Sequence, residues 1–223
     1  MSADSDSLIA AGAGSGNLSS DDLRRRMRSK LPDRDLRGLT RLDKLEDVYV
    51  ECSRDRILED TFAQFMKYHL TEKRLRLKEA EVFFMIGPSG AGKSLAMDRV
   101  LRAHPSLQAE RRSFGVVRPR ISISLSGYVH PRILAEMILD EAGARVGKIG
   151  RGDIWYRLPE ELLKREVSVV HIDEFSHLIR KGKTPEIEEL ADAIKGASIS
   201  RTHPVAFVLS GLPKITRLPI KDE

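Results

Sequence analysis

Four short apolar runs, separated by longer amphipathic stretches, organise the hydrophobic pattern of the chain. The first is Val82, Phe83, Phe84, Met85 and Ile86, unbroken and too short for a helix, as in a strand buried on both faces. The second, residues 120–125, alternates with period two: Ile121, Ile123 and Leu125 against Ser122 and Ser124. Val167, Val169, Val170 and Ile172 make the third, and Val205, Ala206, Phe207, Val208 and Leu209 the fourth. Between them the spacing turns helical. A helix is predicted over residues 53–70, with Ser53 as its cap and Leu58, Phe62, Phe65, Met66 and Leu70 near one face. Another follows the first run, with Leu95, Val100 and Leu101 at roughly helical spacing. Pro131 opens a third, carrying Ile133, Leu134, Met137 and Ile138 and closed by Gly143. Trp155, Leu158 and Leu162 face inward in a fourth over 153–164, and Thr184 caps a fifth, with Pro185 next and Gly196 at its end. Strands that alternate with helices predict an α/β fold in three layers around a parallel central sheet.

The remaining stretches are polar. Residues 1–20 are mostly Ser, Ala, Gly and Asp, which predicts a disordered tail. Residues 21–52 form an extension whose basic helix, capped by Ser19 or Ser20 and running to Lys30, sets Leu23, Met27 and Leu31 among Arg24, Arg25, Arg26 and Arg28. That helix is either a solvated surface or a phosphate-contacting arm. Residues 73–78 read as a charged link, 110–112 as a charged loop, and 143–152 as a glycine-rich basic loop.

Composition narrows the class. The 223 residues, 41% hydrophobic and 32% charged, suffice for one α/β domain plus an extension, assigned to residues 53–223 and 21–52. A net charge of +5 permits nucleic-acid contact without demonstrating it. Cys52 stands alone, which excludes an internal disulfide framework and a multi-cysteine metal site. No apolar run approaches the ~20 residues of a membrane span, and Asp4 and Asp6 stand where a signal peptide would be positive. A cytoplasmic protein with no membrane partner is expected.

The chemistry concentrates at the ends of the apolar runs. Gly87, Pro88, Ser89, Gly90, Ala91, Gly92, Lys93 and Ser94 match G-x-x-x-x-G-K-[ST], with a strand before and a helix after. Glycines let the backbone curl so that several N–H groups aim at one anion, and the opening helix adds its positive end. Leu95 continues that first turn. In this reading Lys93 reaches the β- and γ-phosphates of ATP and the Ser94 hydroxyl ligates Mg2+. The third run ends in Asp173-Glu174. Asp173 at a strand's carboxyl end would hold the same Mg2+, and Glu174 would polarise the attacking water as general base. Ser210 ends the fourth run, where a polar side chain can contact the γ-phosphate or its water. His171 and His177 lack metal-ligand spacing and read as structural, and Cys52 has no histidine partner to make it a nucleophile.

Together these motifs resemble an additional-strand (AAA+) P-loop ATPase. The lead-in VYVECSRDRILEDTFAQF, with EVFFMIGPSGAGKS, VVHIDEFSHLI and HPVAFVLSGLP, is similar to the TniB/TnsC group of transposition ATPases, itself related to MuB and IstB. The likeness runs from about residue 38 to 213. It implies an ATP-dependent regulator that assembles on double-stranded DNA as a ring or filament of its own copies and recruits a transposase, beside other transposition proteins. It also implies that Tyr49 and Val50, just upstream of the domain, flank the nucleotide base. Lys148, Arg151, Arg180, Lys181 and Lys183 would face DNA, unless they are simply solvated loops. The chain departs from the plan at its end: residues 212–223 have no room for a fifth strand, a helical lid and its sensor arginine, and Arg201 and Arg217 are the nearby candidates to complete a neighbour's site. An AAA+ helicase loader, a nucleotide-gated interaction protein with little turnover, and a P-loop kinase are the competing expectations. A GTPase is disfavoured because no Asn-Lys-x-Asp tetrapeptide occurs.

Overall fold

The computed structural model describes residues 19–46, 48–113, 115–144, 154–181 and 184–217. The chain divides into two compact units, Met1–Glu51 and Cys52–Glu223. In the first, α1 (Ser20–Arg28) starts at Ser19, whose hydroxyl accepts the Asp22 N–H at 3.1 Å. The second helix, α2 (Asp33–Glu46), is an addition to the predicted elements; Leu36, Leu39, Leu42 and Leu45 recur every third residue, but Pro32 and Gly38 interrupt the pattern. Arg28 grips Asp43 through two hydrogen bonds, 2.6 and 3.2 Å, which ties α1 to α2. Neither helix buries a residue.

The second unit opens with α3 (Ser53–His69). Its cap is Cys52, not Ser53: the Cys52 N–H donates to the Asp55 carboxylate at 2.7 Å. The stretch read as a link is instead α4 (Glu72–Leu77), capped by Thr71 and stopped by Lys78 in a left-handed conformation, φ 58°. Arg74 holds it down through Glu79 at 2.6 Å and Glu81 at 2.9 Å. Next come β1 (Val82–Ile86) and α5 (Lys93–Ala103). The expected charged loop is one arm of a small antiparallel hairpin, β2 (Glu110–Arg112) with β3 (Gly115–Val117). Strands of three residues are too short to show alternation in sequence. Then follow β4 (Arg120–Ser124), α6 (Pro131–Glu141), α7 (Ile154–Leu163), β5 (Val169–Asp173), α8 (Ser176–Lys181), α9 (Thr184–Ser198) and β6 (Ala206–Gly211). Helix α9 runs through Gly196 rather than ending there, and Thr184 is its first residue. No Cβ contact would arise at Gly196, so packing does not require that glycine.

The main sheet is parallel throughout, in the order β1-β6-β5-β4. The last of the described strands therefore lies between β1 and β5. Period-two alternation sorts each strand's side chains between two cores. On one face Ile121, Ile123, Val170, Ile172, Phe207 and Leu209 meet α6, α7 and α9 through Leu134, Ile138, Leu158, Leu162, Leu190 and Ile194. On the other Val169, Ala206 and Val208 meet α3 and α5 through Phe62, Met66, Met97 and Leu101. Each fully buried aliphatic or aromatic side chain contributes about 1.5–3 kcal/mol relative to exposure. The same alternation puts His171 and Asp173 on the face of Val169, and Ser210 on the face of Val208. Both rows of polar ends thus point toward α5.

Candidate functional site

The carboxyl ends of β1, β6 and β5 carry the chemistry. Between β1 and α5 the chain turns through Gly87–Gly92, with Gly90 at φ +73° and Gly92 at φ +75°, conformations that L residues avoid. Gly92 is the N-cap of α5 and provides no side-chain cap, so the amides of the first turn are left for another acceptor. A Cβ on Gly92 would also come within 3.3 Å of the Arg54 guanidinium, from the start of α3. Sequence reading did not single out Arg54; only packing shows it at the loop. Lys93 is 6% exposed and curls back over the turn, its Nζ donating to the Pro88 carbonyl at 2.9 Å. Its stem runs so close to Gly87 that a Cβ there would sit 3.4 Å from Cδ. Ser94 and Leu95 follow in the first turn of α5, with Leu95 62% exposed, and Ser89 lies at the exposed tip of the turn. The loop is fastened to the sheet where the Gly87 N–H donates to the Gly211 carbonyl at 3.2 Å.

Two strands away, Asp173 ends β5 almost fully buried. Its Oδ1 accepts from Ser210 Oγ at 2.7 Å and from the Glu174 N–H at 2.9 Å. Ser94, in the first turn of α5, faces this carboxylate closely enough to help lower its pKa. Burial pushes the Asp173 carboxyl up, but Ser94 and the hydrogen bonds from Ser210 and Glu174, with His171 nearby, outweigh it and hold the group below its ordinary value. The next residue, Glu174, is half-buried and takes a left-handed backbone, φ 55°, the kind of strain that collects at functional sites. The chain then returns under β6, the Phe175 N–H donating to the Ser210 carbonyl at 2.9 Å.

Ser210 lies differently from its expectation. It is wholly buried, and its hydroxyl meets Asp173 and His171 Nε2, at 2.7 and 2.9 Å, in place of an open γ-phosphate position. The register explains this: Ile172 pairs with Leu209, so the next residues along, Asp173 and Ser210, are neighbours. His171, read as structural from spacing, thereby joins the site; its signal was its place two residues before Asp173, on the same face. Burial pushes its imidazole down to about 4, against the pull of Asp173, so the ring is neutral near pH 7.

The donor set fits a hard cation and a phosphate chain. One hydroxyl and one carboxylate converge, and among the described residues no three His, Cys, Asp or Glu side chains gather as a zinc site would need. A cation held by one or two protein oxygens, completed by phosphate oxygens and water, is the usual manner of Mg2+.

Tyr49 and Val50 belong to the first unit, where Val50 is 81% exposed. Arg180 and Lys181 end α8; Lys148, Arg151 and Lys183 fall outside the described residues. Arg201 is exposed in the turn before β6, and Arg217 ends a short 3-10 helix after it. A cavity of about 760 Å3, lined by Arg102, Leu107, Val117, Arg118, Arg120 and Val167 among others, lies at the opposite, amino end of the strands. It touches none of the converging polar groups just described, and size alone does not make it the site.

A family model described as an AAA domain matches residues 75–218, from α4 to just beyond β6. The chain belongs to the AAA domain family. The order β1-β6-β5, with a strand inserted between phosphate loop and acidic strand, is the layout of such a domain here. Among solved structures, Cdc6p from Pyrobaculum aerophilum is similar in fold, with a TM-score of 0.55 at 12% identity over 77% of this chain. The ORC2 protein of Aeropyrum pernix, solved as ADPNP–ADP complexes, gives a TM-score of 0.49 at 17% identity over 74%. The AAA chain spans 43% of the length of each. No curated protein matches the sequence. Among the described residues no helix is long and apolar enough to cross a membrane.

Proposed function

We propose that this AAA domain protein binds and hydrolyses ATP with Mg2+, and that it does so as an oligomer on duplex DNA, serving transposition by recruiting a transposase. The observation that carries the nucleotide part is the convergence, across the width of β6, of the Gly87–Gly92 turn and its buried Lys93 with the buried Asp173 carboxylate that ends β5. In this reading the loop amides and the Lys93 ammonium grip the β- and γ-phosphates. Bound Mg2+ would neutralise developing charge on the phosphates, held by the Ser94 hydroxyl and Asp173 Oδ2. Glu174 takes the proton of the attacking water at its carboxylate. Tyr49 and Val50 flank the base. The DNA and transposase part rests on the likeness of the lead-in and motifs to the TniB/TnsC group, on the net charge of +5, and on Lys148, Arg151, Arg180, Lys181 and Lys183.

ATP turnover measured with and without duplex DNA at two salt concentrations tests both parts. DNA-stimulated turnover that falls steeply with salt is expected, because phosphate contacts release counterions. Turnover indifferent to DNA, with only monomers seen by electron microscopy in ATP and DNA, would remove the DNA-assembly reading and leave a free-standing ATPase.

A further inference from the structure

Every residue of β5 is buried, and its core positions Val169, Val170 and Ile172 are aliphatic. His171, 4% exposed, is the exception between them. An imidazole costs more to bury there than a leucine of similar volume, so its hydrogen bond has to be accounted for. The bond goes to Ser210, and the direction of the chain can be read from proton counting. A serine hydroxyl has one proton to give. Ser210 Oγ gives it to Asp173 Oδ1 at 2.7 Å, so at 2.9 Å it accepts from His171 Nε2, which fixes the imidazole as the Nε2–H tautomer. Asp173 Oδ1 accepts the Glu174 N–H as well, at 2.9 Å, and its two lone pairs are then used. Neither bond uses Oδ2, the oxygen that, with the Ser94 hydroxyl beside the carboxylate, is left to face a cation.

We propose that His171 is a positioning residue: acting through Ser210, it locks the Asp173 carboxylate so that Oδ2 alone faces the metal. The proposal rests on the reading of Asp173 as the acid that holds Mg2+. Without the His171 donor the Ser210 hydroxyl is free to rotate, its proton no longer committed to Oδ1, and the carboxylate can turn about its last torsion. Groups that orient a metal ligand from behind typically change metal affinity 10- to 100-fold.

Mn2+ binding to the ATP complex, followed by electron paramagnetic resonance beside metal-free ATP affinity and melting temperature, tests this in the full chain. His171→Leu and Ser210→Ala are each expected to weaken Mn2+ binding by roughly 10- to 100-fold while leaving metal-free ATP affinity within about two-fold. The double variant should be no worse than Ser210→Ala, since both act on one chain of bonds. His171→Gln, whose Nε2 can donate from the same place, should restore binding. Unchanged Mn2+ affinity in Ser210→Ala or His171→Leu, additive losses, or equal losses in Leu and Gln variants would each overturn the positioning role. If the natural protein binds ATP but no Mn2+ beside it, the fault lies instead in the metal-holding reading of Asp173, and the proposal falls with it.

Discussion

The two ends of the sheet carry similar raw material and use it differently. At the amino end, Arg102, Arg118, Arg120, Lys164 and Arg165 line a cavity of about 760 Å3. Much of that charge is spent locally: Arg102 on Asp98 at 2.7 Å, Lys164 on Glu160 at 2.8 Å, Arg165 on Glu161 at 2.9 Å. These are partly exposed pairs of small net value. At the carboxyl end the polar groups are buried and bonded to one another. Lys93, Asp173 and Ser210 are buried, and the hydrogen bond from Ser210 to Asp173 reaches from one strand to the next. Buried, converging polar groups mark a place where chemistry is organised; volume and charge do not.

The contrast can be broken most directly at Glu174. Glu174→Gln is expected to cut ATP turnover by roughly 100- to 10,000-fold with ATP affinity kept, as for loss of a general base; full turnover in a phosphate-release assay would remove Glu174 from that role. Lys93→Ala should weaken ATP by roughly 10- to 150-fold, about 1.5–3 kcal/mol for a hydrogen bond from a charged donor, read by titration calorimetry. Gly211→Ala places a Cβ 2.7 Å from Ile215 Cδ1 and 3.0 Å from the Ser176 amide. It should lower stability by about 1–3 kcal/mol in denaturant unfolding, as overpacking does. At the amino end, Arg120→Ala should leave turnover within about two-fold; a larger loss would mean that this end serves the reaction too.

Acid sharpens the same comparison. Burial, with His203 adding to it, pushes His69 below its ordinary value, and its Nε2 lies 3.1 Å from Ser168 Oγ at the amino end. Below the ordinary histidine pKa, about 6.5, the unfolded chain takes up a proton that folded His69 resists. Stability should therefore fall as pH drops through that value toward the lower folded one. His69→Gln should make the fall of melting temperature between pH 7.5 and 5 shallower without removing it, because His171, pushed down to about 4, contributes over the same range; this is the smallest effect among these.

The phosphate loop and the acidic pair were legible because each is a local pattern: eight consecutive letters between an apolar run and a helix, and two acids after valines. β4 and β5 needed nothing beyond their valines and isoleucines, and β1 and β6 nothing beyond their apolar runs, although β1, at the end of the described sheet with Phe84 and Ile86 exposed, is not buried on both faces as its run suggests. What could not be read depends on partners distant in sequence. His171 and Ser210 are 39 residues apart, and only the parallel register of β5 with β6 makes them neighbours. Arg54 reaches the loop because α3 packs beside α5. Short or highly charged elements also escaped: α4 holds two leucines among four charged residues, and it is Thr71 at one end and Arg74 between two glutamates that keep it helical.

The left-handed turn at Glu174 carries a consequence for how such a chain is kept. A side chain there costs roughly 1–2 kcal/mol that glycine would not. Glu174→Gly should thus melt higher while losing its turnover, so a population screened for robustness alone would drift to glycine at this position. In the proposed reading the glutamate there is held by the proton it takes, against the preference of the backbone beneath it.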